Sequence, residues 1–397
     1  MKKALIITNA ASMVHLFNRV NIELLQEAGY EVHIACNFVY GNTASKEMIE
    51  QYRKEWEGEG IISHQIDFLR SPFTLKSFKI YNETKKLIRE GQYDIIHCHT
   101  PIVSAFTRLA ARKLKKATVI YTAHGFHFFK GAPFFNWLVY YPIEKLLAPL
   151  TDLLITINSE DYELAKKKLK VKKVMYKPGV GIDTKAIAKV SPHTYDIRNH
   201  LNIPMDSVVM VSVGEINHNK NHKMAIDALS RVKNKNIHYA IAGIGKLRDE
   251  LTEYANSIGV GDRVHFLGFR TDIFEVLKAS DMFVMPSYRE GLSVAMMEAM
   301  SCGLPVIASN IRGNCDLVDK EGGFLFDIHN IDELVGHIET LSDNPELRKS
   351  MGQYNEERVK ECDKEIVLKK LKFVLSECEK KHYQHQLKVE ETVVVEI

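Results

Sequence analysis

Residues 282–300, MFVMPSYREGLSVAMMEAM, decide the fold of this chain. The apolar run Met282–Met285 predicts a buried strand that ends at Pro286. The loop that follows presents Glu290 and Gly291, and a helical pattern begins near Ser293. A strand, a loop and a helix in this order form one βα unit of a parallel sheet.

The same βα alternation extends outward over both halves of the chain. One series of strands and helices, including a helix over Val14–Ala28, fills the first half, and a second series begins at Val208. A polar stretch from Lys177 through Ser191-Pro192 separates the two series, and its turn residues predict a linker. We therefore predict an α/β protein with two Rossmann-like domains and parallel sheets. The predicted parts are an N-terminal domain over 1–180, a C-terminal domain over 181–363, a helix over 364–381 that returns to the N-terminal domain, and a tail over 382–397.

Composition and charge exclude several classes of protein. The 397 residues are 45% hydrophobic and 26% charged, which is typical of folded globular proteins. The net charge of +3 is far from that of a dedicated nucleic-acid binder, so we expect no nucleic-acid partner. The six cysteines show neither a C-x-x-C pair nor zinc-ligand spacing, which favours reduced thiols and a cytoplasmic location. The start of the chain is expected to be a strand rather than a signal peptide, and no apolar run reaches the length of a membrane span.

The loop and helix start at 286–293 predict an anion site. Free backbone amides at a helix start and the helix dipole together favour a phosphate, and Gly291 lets a ligand approach the backbone. Glu290 and Glu298 lie on either side of this helix start, and a carboxylate can accept two hydroxyl donors. Glu298 therefore fits ribose hydroxyls and Glu290 fits the hydroxyls of a sugar. From spacing alone, an exposed loop glutamate and a solvated helix glutamate remain the alternative.

At these residues the chain resembles the family-4 glycosyltransferases, which are retaining enzymes of the GT-B fold. The E-x7-E signature of that family matches Glu290 and Glu298, and its following A-x-x-C-G-x-P-V-I matches residues 299–307. Further matches cover nearly the whole second half: Val213-Gly214, Lys220-Asn221-His222, Ala242-Gly243-Ile244-Gly245 and Phe266-Leu267-Gly268-Phe269-Arg270-x-Asp272-Ile273.

The resemblance implies a function and a set of residues. It implies two domains facing across a cleft, transfer of a hexosyl or N-acetylhexosaminyl group from a nucleotide-diphosphate sugar, with a UDP-sugar expected, and no metal or cofactor. The C-terminal domain would bind the donor and the N-terminal domain the acceptor. The implied donor-binding residues are Gly214, Lys220, Arg270, Glu290, Gly291, Leu292, Ser293 and Glu298. The chain departs from the family at Glu215, where an arginine is common, so Lys220 is the cation expected at the donor diphosphate.

In the first half, His124 is the candidate catalytic residue beside Glu290. It follows a strand, at the end where α/β sheets place their ligands, and the resemblance puts a His-Gly pair next to the donor sugar. His127 is expected in the core instead. The first βα turn lacks a G-x-G-x-x-G, and Asn9 and His15 are its candidates for acceptor contact.

Two features concern the acceptor and the membrane. The run from His124 to Tyr162 is similar to bacterial exopolysaccharide and capsule transferases, which implies a lipid-linked saccharide acceptor. The aromatic segment Gly131–Tyr141 and a basic run suggest the hypothesis of peripheral contact with the cytosolic face of the inner membrane, although an aromatic helix more often packs in the core and a charged run is more often a solvated face. The basic run comprises Arg108, Arg112, Lys113, Lys115 and Lys116.

Two rival functions remain open at this point. A sugar-nucleotide epimerase uses the same two-domain architecture and needs no acceptor. A non-catalytic subunit that binds a nucleotide sugar is consistent with Glu215 in the place of the arginine.

Overall fold

The computed structural model describes residues 1–69, 75–114, 116–191 and 196–376. The chain divides into two compact units, which are considered separately below. Unit 1 comprises Met1–Val180 together with the chain from Glu365 onward, and unit 2 comprises Gly181–Lys364. Lys115, Pro192, the predicted tail and the end of the predicted C-terminal helix lie outside the described residues.

Unit 1 is built on a seven-stranded parallel sheet with the order β3-β2-β1-β4-β5-β6-β7. Its strands are β1 (Lys2–Ala10), β2 (Tyr30–Asn37), β3 (Ile62–Gln65), β4 (Ile95–His99), β5 (Thr118–Ala123), β6 (Leu153–Thr156) and β7 (Lys173–Tyr176). The central strands are apolar and buried, as expected for a parallel sheet that is covered on both faces. Sequence analysis missed β7, because this edge strand is short, half-buried and starts with a lysine.

The helices of unit 1 cover both faces of this sheet. They are α1 (Ala11–Phe17), α2 (Arg19–Glu27), α3 (Lys46–Gly58), α4 (Leu75–Gly91), α5 (Pro101–Ala111), α6 (Phe134–Leu147) and α7 (Ser159–Lys168). The predicted single helix over Val14–Ala28 was wrong, because the chain breaks at the buried Asn18. The side-chain amide of Asn18 donates to the carbonyl of Met13, and such local bonds compete with the helix.

The C-terminal helix packs in the core of unit 1. It covers 364–376 in the described chain and is labelled α17. Val367, Leu371 and Val374 are buried in the cluster that also holds Ile95 and Ile120 of the sheet. Because these three side chains repeat at helical spacing, one apolar stripe fixes the helix to the sheet.

Unit 2 repeats the architecture with a six-stranded parallel sheet in the order β10-β9-β8-β11-β12-β13. Its strands are β8 (Val208–Val213), β9 (Ile237–Ala242), β10 (Val264–Gly268), β11 (Met282–Met285), β12 (Val306–Ser309) and β13 (Gly323–Phe326). Its helices are α8 (Thr184–Lys189), α9 (Ile197–Leu201), α10 (His222–Arg231), α11 (Arg248–Ser257), α12 (Ile273–Lys278), α13 (Val294–Ser301), α14 (Asn314–Leu317), α15 (Ile331–Asp343) and α16 (Pro345–Arg358).

The structure differs from the sequence analysis at two places in this half, although the boundary between the two units lies within the predicted linker, after Val180. The predicted linker contains α8, which begins after Asp183, and the Asp183 carboxylate accepts a hydrogen bond from the amide of Ala186. Turn-forming residues therefore serve here as a helix cap. Strand β13 was missed, because Gly322 and Gly323 look like turn residues in the sequence.

The predicted basic run is not a continuous surface. Arg108 is only 1% exposed, and its guanidinium donates to both carboxylate oxygens of Glu144, at 2.9 Å each, and lies 4.5 Å from the ring of Tyr121. Arg112 and Lys113 are exposed, and the ammonium of Lys116 pairs with Asp94 at 2.7 Å. The prediction of Arg108 as a surface residue was wrong, because α6 supplies a buried carboxylate opposite it.

We expect Glu144→Gln to lower the free energy of unfolding by about 3 to 5 kcal/mol, because it leaves a buried guanidinium without its counter-charge. Urea denaturation measures this loss. In the matched control, Lys116→Met, the exposed ammonium of the Lys116–Asp94 pair is removed, and the cost should stay below about 1 kcal/mol. Equal costs in the two variants would contradict a structural role for the buried pair.

Candidate functional site

Two loops meet at one edge of the sheet in unit 2. Strands β8 and β11 are neighbours and run parallel, so the loops after Val213 and Met285 emerge side by side. The amide of Tyr288 donates to the carbonyl of Asn219 at 2.9 Å, and the side-chain amide of Asn219 donates to the carbonyl of Arg289 at 2.9 Å. These bonds hold the loop that carries Glu290 against the loop that carries Lys220.

An ion pair completes the junction of the two loops. The ammonium of Lys220 donates to Oε1 of Glu290 at 2.8 Å, and both side chains are mostly buried. Gly214 lies beside them, since a Cβ added at this residue would lie 3.1 Å from Cε of Lys220. The structure thus brings together three predicted residues, Gly214, Lys220 and Glu290, that are distant in sequence.

The same edge requires glycines. A Cβ at Gly243, which follows β9 with φ at +157°, would lie 1.9 Å from the carbonyl oxygen of Gly214. A Cβ at Gly313, with φ at +84°, would lie 2.4 Å from the carbonyl oxygen of Gly291. Neither distance is compatible with a side chain, so glycine at these positions lets the backbone segments pack in direct contact.

Ser293 is the N-cap residue of α13. Its hydroxyl oxygen accepts a hydrogen bond from the amide of Met296 at 3.3 Å, which caps the helix. A serine hydroxyl that accepts one bond can still donate its own hydrogen, so Ser293 can also donate to an anion. Leu292 is buried, and Gly291 lies against Gly313. The segment Gly291–Ser293 therefore offers a ligand its backbone groups and the hydroxyl group of Ser293.

Glu298 lies in the second turn of α13. Burial raises the pKa of its carboxyl group to about 7. Its carboxylate makes no hydrogen bond or ion pair within the described ranges, and so it does not join the Lys220–Glu290 pair. A half-buried carboxyl group without a protein partner is available to hydroxyl groups of a ligand.

Arg270 lies apart from this junction. It follows β10, and β9 and β8 separate that edge strand from β11. Its guanidinium donates to both oxygens of Asp272, at 2.8 Å and 2.5 Å, and this bond lowers the pKa of Asp272. Its predicted role in donor binding stays a prediction.

In unit 1, His124 belongs to a histidine cluster at the carboxyl ends of β4 and β5. Its Nε2 lies 3.0 Å from Nδ1 of His99, and Nε2 of His97 lies 2.8 Å from the hydroxyl of Thr122. Burial lowers the pKa of His124 to about 4 and that of His97 to about 3. Sequence analysis missed His97 and His99, although their alternation in DIIHCHTP (94–101) places them on one face of a strand next to the His124 strand.

The remaining candidates of unit 1 pack against protein. The ring of His15 stacks on Tyr52 with 3.6 Å between centroids, and burial lowers its pKa. Oδ1 of Asn9 accepts a bond from the hydroxyl of Thr8. His127 contacts Tyr140, with 4.6 Å between ring centroids. Acceptor contact by Asn9 and His15 stays a prediction.

The described residues contain neither a metal-ligating cluster nor a helix suited to cross a membrane. Among residues 1–69, 75–114, 116–191 and 196–376, no group of three or more histidine, cysteine or carboxylate side chains is arranged to hold a metal ion. None of the helices described above combines the length and the apolar character that crossing a bilayer demands.

The chain matches known families over most of its length. Residues 194–358 match the family model of Glycosyl transferases group 1, and residues 3–158 match that of Glycosyl transferase 4-like proteins. The protein EpsD of Bacillus subtilis (strain 168), described as a glycosyltransferase, is 37% identical over 335 residues, which cover 83% of this chain and 84% of EpsD. The Escherichia coli enzyme UDP-Gal:alpha-D-GlcNAc-diphosphoundecaprenol alpha-1,3-galactosyltransferase is 33% identical over 282 residues, 69% of this chain and 72% of that enzyme.

Solved structures show the same fold. HepE of Anabaena in complex with UDP aligns with a TM-score of 0.75 at 19% identity, over 94% of this chain and all of HepE. A glycosyltransferase from Rickettsia africae ESF-5 aligns with a TM-score of 0.73 at 18% identity, over 96% of this chain and 99% of that protein. The predicted fold class, GT-B with two Rossmann-like domains, is thereby confirmed.

We expect Glu298→Gln to stabilise the protein at pH 8 and to have little effect near pH 4.5. Between about 4.5 and about 7 the unfolded carboxyl group ionises while the folded one keeps its proton, so the stability of the natural protein falls with rising pH through this window. The amide has no such titration, and the gain at pH 8 should be about 1 to 3 kcal/mol. Urea denaturation of both proteins at the two pH values measures it, and an effect independent of pH would contradict the burial of an unpaired carboxyl group.

Proposed function

The chain belongs to the Glycosyl transferases group 1 family, and we propose that it transfers a hexosyl or N-acetylhexosaminyl group from a UDP-sugar to a lipid-linked saccharide in the synthesis of a surface polysaccharide. The E. coli relative supports both substrates, because its name includes UDP-galactose and a saccharide on diphosphoundecaprenol. UDP in the similar HepE structure supports the nucleotide.

The observation that carries this proposal is the Lys220–Glu290 pair at the carboxyl edge of the sheet in unit 2. Parallel α/β sheets bind their ligands at this edge. When a diphosphate binds, the Lys220 ammonium can exchange its carboxylate partner for a phosphate oxygen, and Glu290 is then free to accept hydroxyl hydrogens of the transferred sugar. The pair thus holds side by side an ammonium group for the diphosphate and a carboxylate for the sugar hydroxyls of a nucleotide sugar.

The other residues of the site complete the donor contacts. Glu298 has a half-buried carboxyl group with a raised pKa that suits the two ribose hydroxyls, and the Ser293 hydroxyl and the first amides of α13 suit the diphosphate. Lys220 pairs with Glu290 and not with Glu215, whose side chain is exposed. In this proposal the Lys220 ammonium is the group of this loop that stabilises the negative charge of the leaving diphosphate.

The proposed reaction exchanges one bond at the anomeric carbon for another. The bond between the anomeric carbon and the phosphate oxygen breaks, and UDP leaves with both electrons. The acceptor hydroxyl forms the new bond on the same face of the sugar, and its proton goes to the departing phosphate oxygen. In this proposal Nδ1 of the neutral His124 accepts a hydroxyl hydrogen of the sugar, because its Nε2–H donates to Nδ1 of His99.

We expect Lys220→Gln to weaken UDP binding by about tenfold or more and to lower kcat/KM by about 100-fold or more, because a charge-assisted bond to the leaving group is lost. Isothermal titration with UDP and transfer assays with candidate UDP-sugars measure the two effects. Lys233→Gln is the matched control, because this exposed lysine precedes β9 and lies at the opposite, amino edge of the same sheet. Unchanged UDP affinity in Lys220→Gln would refute the assignment of the donor site.

Glu290→Gln separates the proposal from its rivals. Loss of transfer with retained UDP binding and folding supports a catalytic role for Glu290 and contradicts a non-catalytic binding subunit. Formation of a free epimer from the UDP-sugar in the absence of acceptor would favour the epimerase.

The proposal includes contact with an anionic membrane through α6. Phe134 is 80% exposed, and with Leu138 and Leu146 it forms one apolar stripe, since these residues follow one another at intervals of four and eight residues. Lysines accompany the stripe: Lys168 lies over the ring of Trp137 and Lys145 over the ring of Tyr141, at 5.4 Å and 5.8 Å. An apolar stripe bordered by ammonium groups complements the acyl chains and headgroups of an anionic bilayer.

We expect Phe134→Ser combined with Leu138→Ser to reduce sedimentation with phosphatidylglycerol vesicles by about tenfold, because two apolar side chains lose their burial in the interface. The control combines Met205→Ser with Phe269→Ser, which removes two comparably exposed apolar side chains from unit 2. Equal sedimentation of the two double variants would argue against α6 as the contact surface.

A further inference from the structure

Four basic side chains lie together at the carboxyl edge of the sheet in unit 1. His97 and His99 belong to the end of β4, His124 directly follows β5, and Lys177 directly follows β7. His99 and His124 are 3.0 Å apart at their ring nitrogens, and the rings of His97 and His99 have centroids 4.3 Å apart. Lys177 is close enough to lower the pKa of all three histidines. These four residues are called the His–Lys cluster below.

The His–Lys cluster has no counter-charge within the part of the chain that the structure describes. Lys177 is 3% exposed, and its ammonium forms no hydrogen bond or ion pair with described residues. The charged groups that act on the three histidines are Lys177 and the other histidines, and all of them lower the histidine pKa values. Burial also lowers the pKa of Lys177, to about 8, which leaves most of the ammonium charged at pH 7.

A second unpaired group points to a ligand. Nε2 of His99 is buried and has no hydrogen-bond partner, while Nδ1 of the same ring contacts His124. Buried polar groups without partners are rare and costly, and a buried ammonium without a partner is more costly still. An aliphatic side chain at position 177 would fill the same space without this cost. A structural role therefore does not explain the lysine, whereas an anionic ligand explains both unpaired groups.

We propose that the His–Lys cluster binds the diphosphate of the lipid-linked acceptor, through the Lys177 ammonium and the Nε2–H of His99. The inference rests on the acceptor class in the proposed function. A diphosphate suits two nitrogen donors with no carboxylate between them, because each phosphate offers several acceptor oxygens. In the proposed function, the diphosphate of the donor binds the ammonium of Lys220 in unit 2. The cluster in unit 1 is thus available to the second diphosphate of the reaction.

The experiment uses the full chain, with farnesyl diphosphate, farnesol and UDP as titrants in isothermal titration. Lys177→Met should weaken binding of farnesyl diphosphate by about tenfold or more and leave UDP binding unchanged, since one charge-assisted contact is removed. His99→Gln should weaken the binding of farnesyl diphosphate less, by about threefold to tenfold, because the hydrogen-bond donor that it removes is neutral. The control is Lys170→Met, an exposed lysine between α7 and β7. Farnesol, which lacks phosphate, should bind all variants equally.

Thermal unfolding adds a readout that separates ligand binding from structure. Without ligand, Lys177→Met should raise Tm, because an unpaired buried charge is removed. A lower Tm, or unchanged affinity for farnesyl diphosphate in Lys177→Met, overturns the inference. If Lys177→Met lost affinity for UDP and for farnesyl diphosphate equally, the cluster would belong to the donor site, and the inference would also be overturned. Unchanged UDP affinity in Lys220→Gln concerns the donor site of the proposed function alone, so the two failures are distinguishable.

Discussion

The ion pair between Lys220 and Glu290 is the interaction on which the chemistry of unit 2 depends. It joins two loops that leave neighbouring strands, and one backbone bond and one side-chain bond of Asn219 hold those loops together. Both groups are mostly buried, and their loss of hydration offsets much of the attraction between them, so the value of this pair lies in the position that it gives the two charges. It keeps an ammonium and a carboxylate oriented while both remain available to exchange partners, which is the property that a site for a charged sugar donor needs.

Backbone contact is the second constraint on this site. Gly214 and Gly291 have their carbonyl oxygens against Gly243 and Gly313, respectively, at distances that exclude any side chain. Each loop consequently depends on a glycine in the segment behind it, Gly243 behind Gly214 and Gly313 behind Gly291. Substitution behind the loop would displace the Lys220–Glu290 pair without altering either charged residue, because packed backbone transmits such a shift.

The sequence predicted what depends on local pattern and missed what depends on distant partners. Strands β8 and β11 have the predicted bounds, since an apolar run between turn residues is a local signal. The family resemblance singled out Glu290 and Glu298, and the structure places Glu290 beside Lys220, whereas donor binding by both glutamates stays a prediction. Arg108 was misplaced because its partner lies 36 residues away on another helix, and charge alone does not reveal such a partner. Lys177 was assigned to a linker for the same reason: its burial beside His97 and His99 arises from the strand order, which no local pattern encodes.

The two ammonium groups differ in how binding would change their energy. Lys220 already has a carboxylate partner, so a phosphate must replace that partner, and the net gain is the difference between two ionic contacts. Lys177 has no partner among the described residues, so the ligand-free protein already carries the energetic cost of its lost hydration. A bound anion would therefore add one ionic contact without replacing another. Under the proposed function, this difference suits the two substrates. The nucleotide is released as UDP after each turnover, and the Lys220–Glu290 pair can then re-form, which assists that release. The acceptor diphosphate instead meets an ammonium that has no partner among the described residues, which favours its binding.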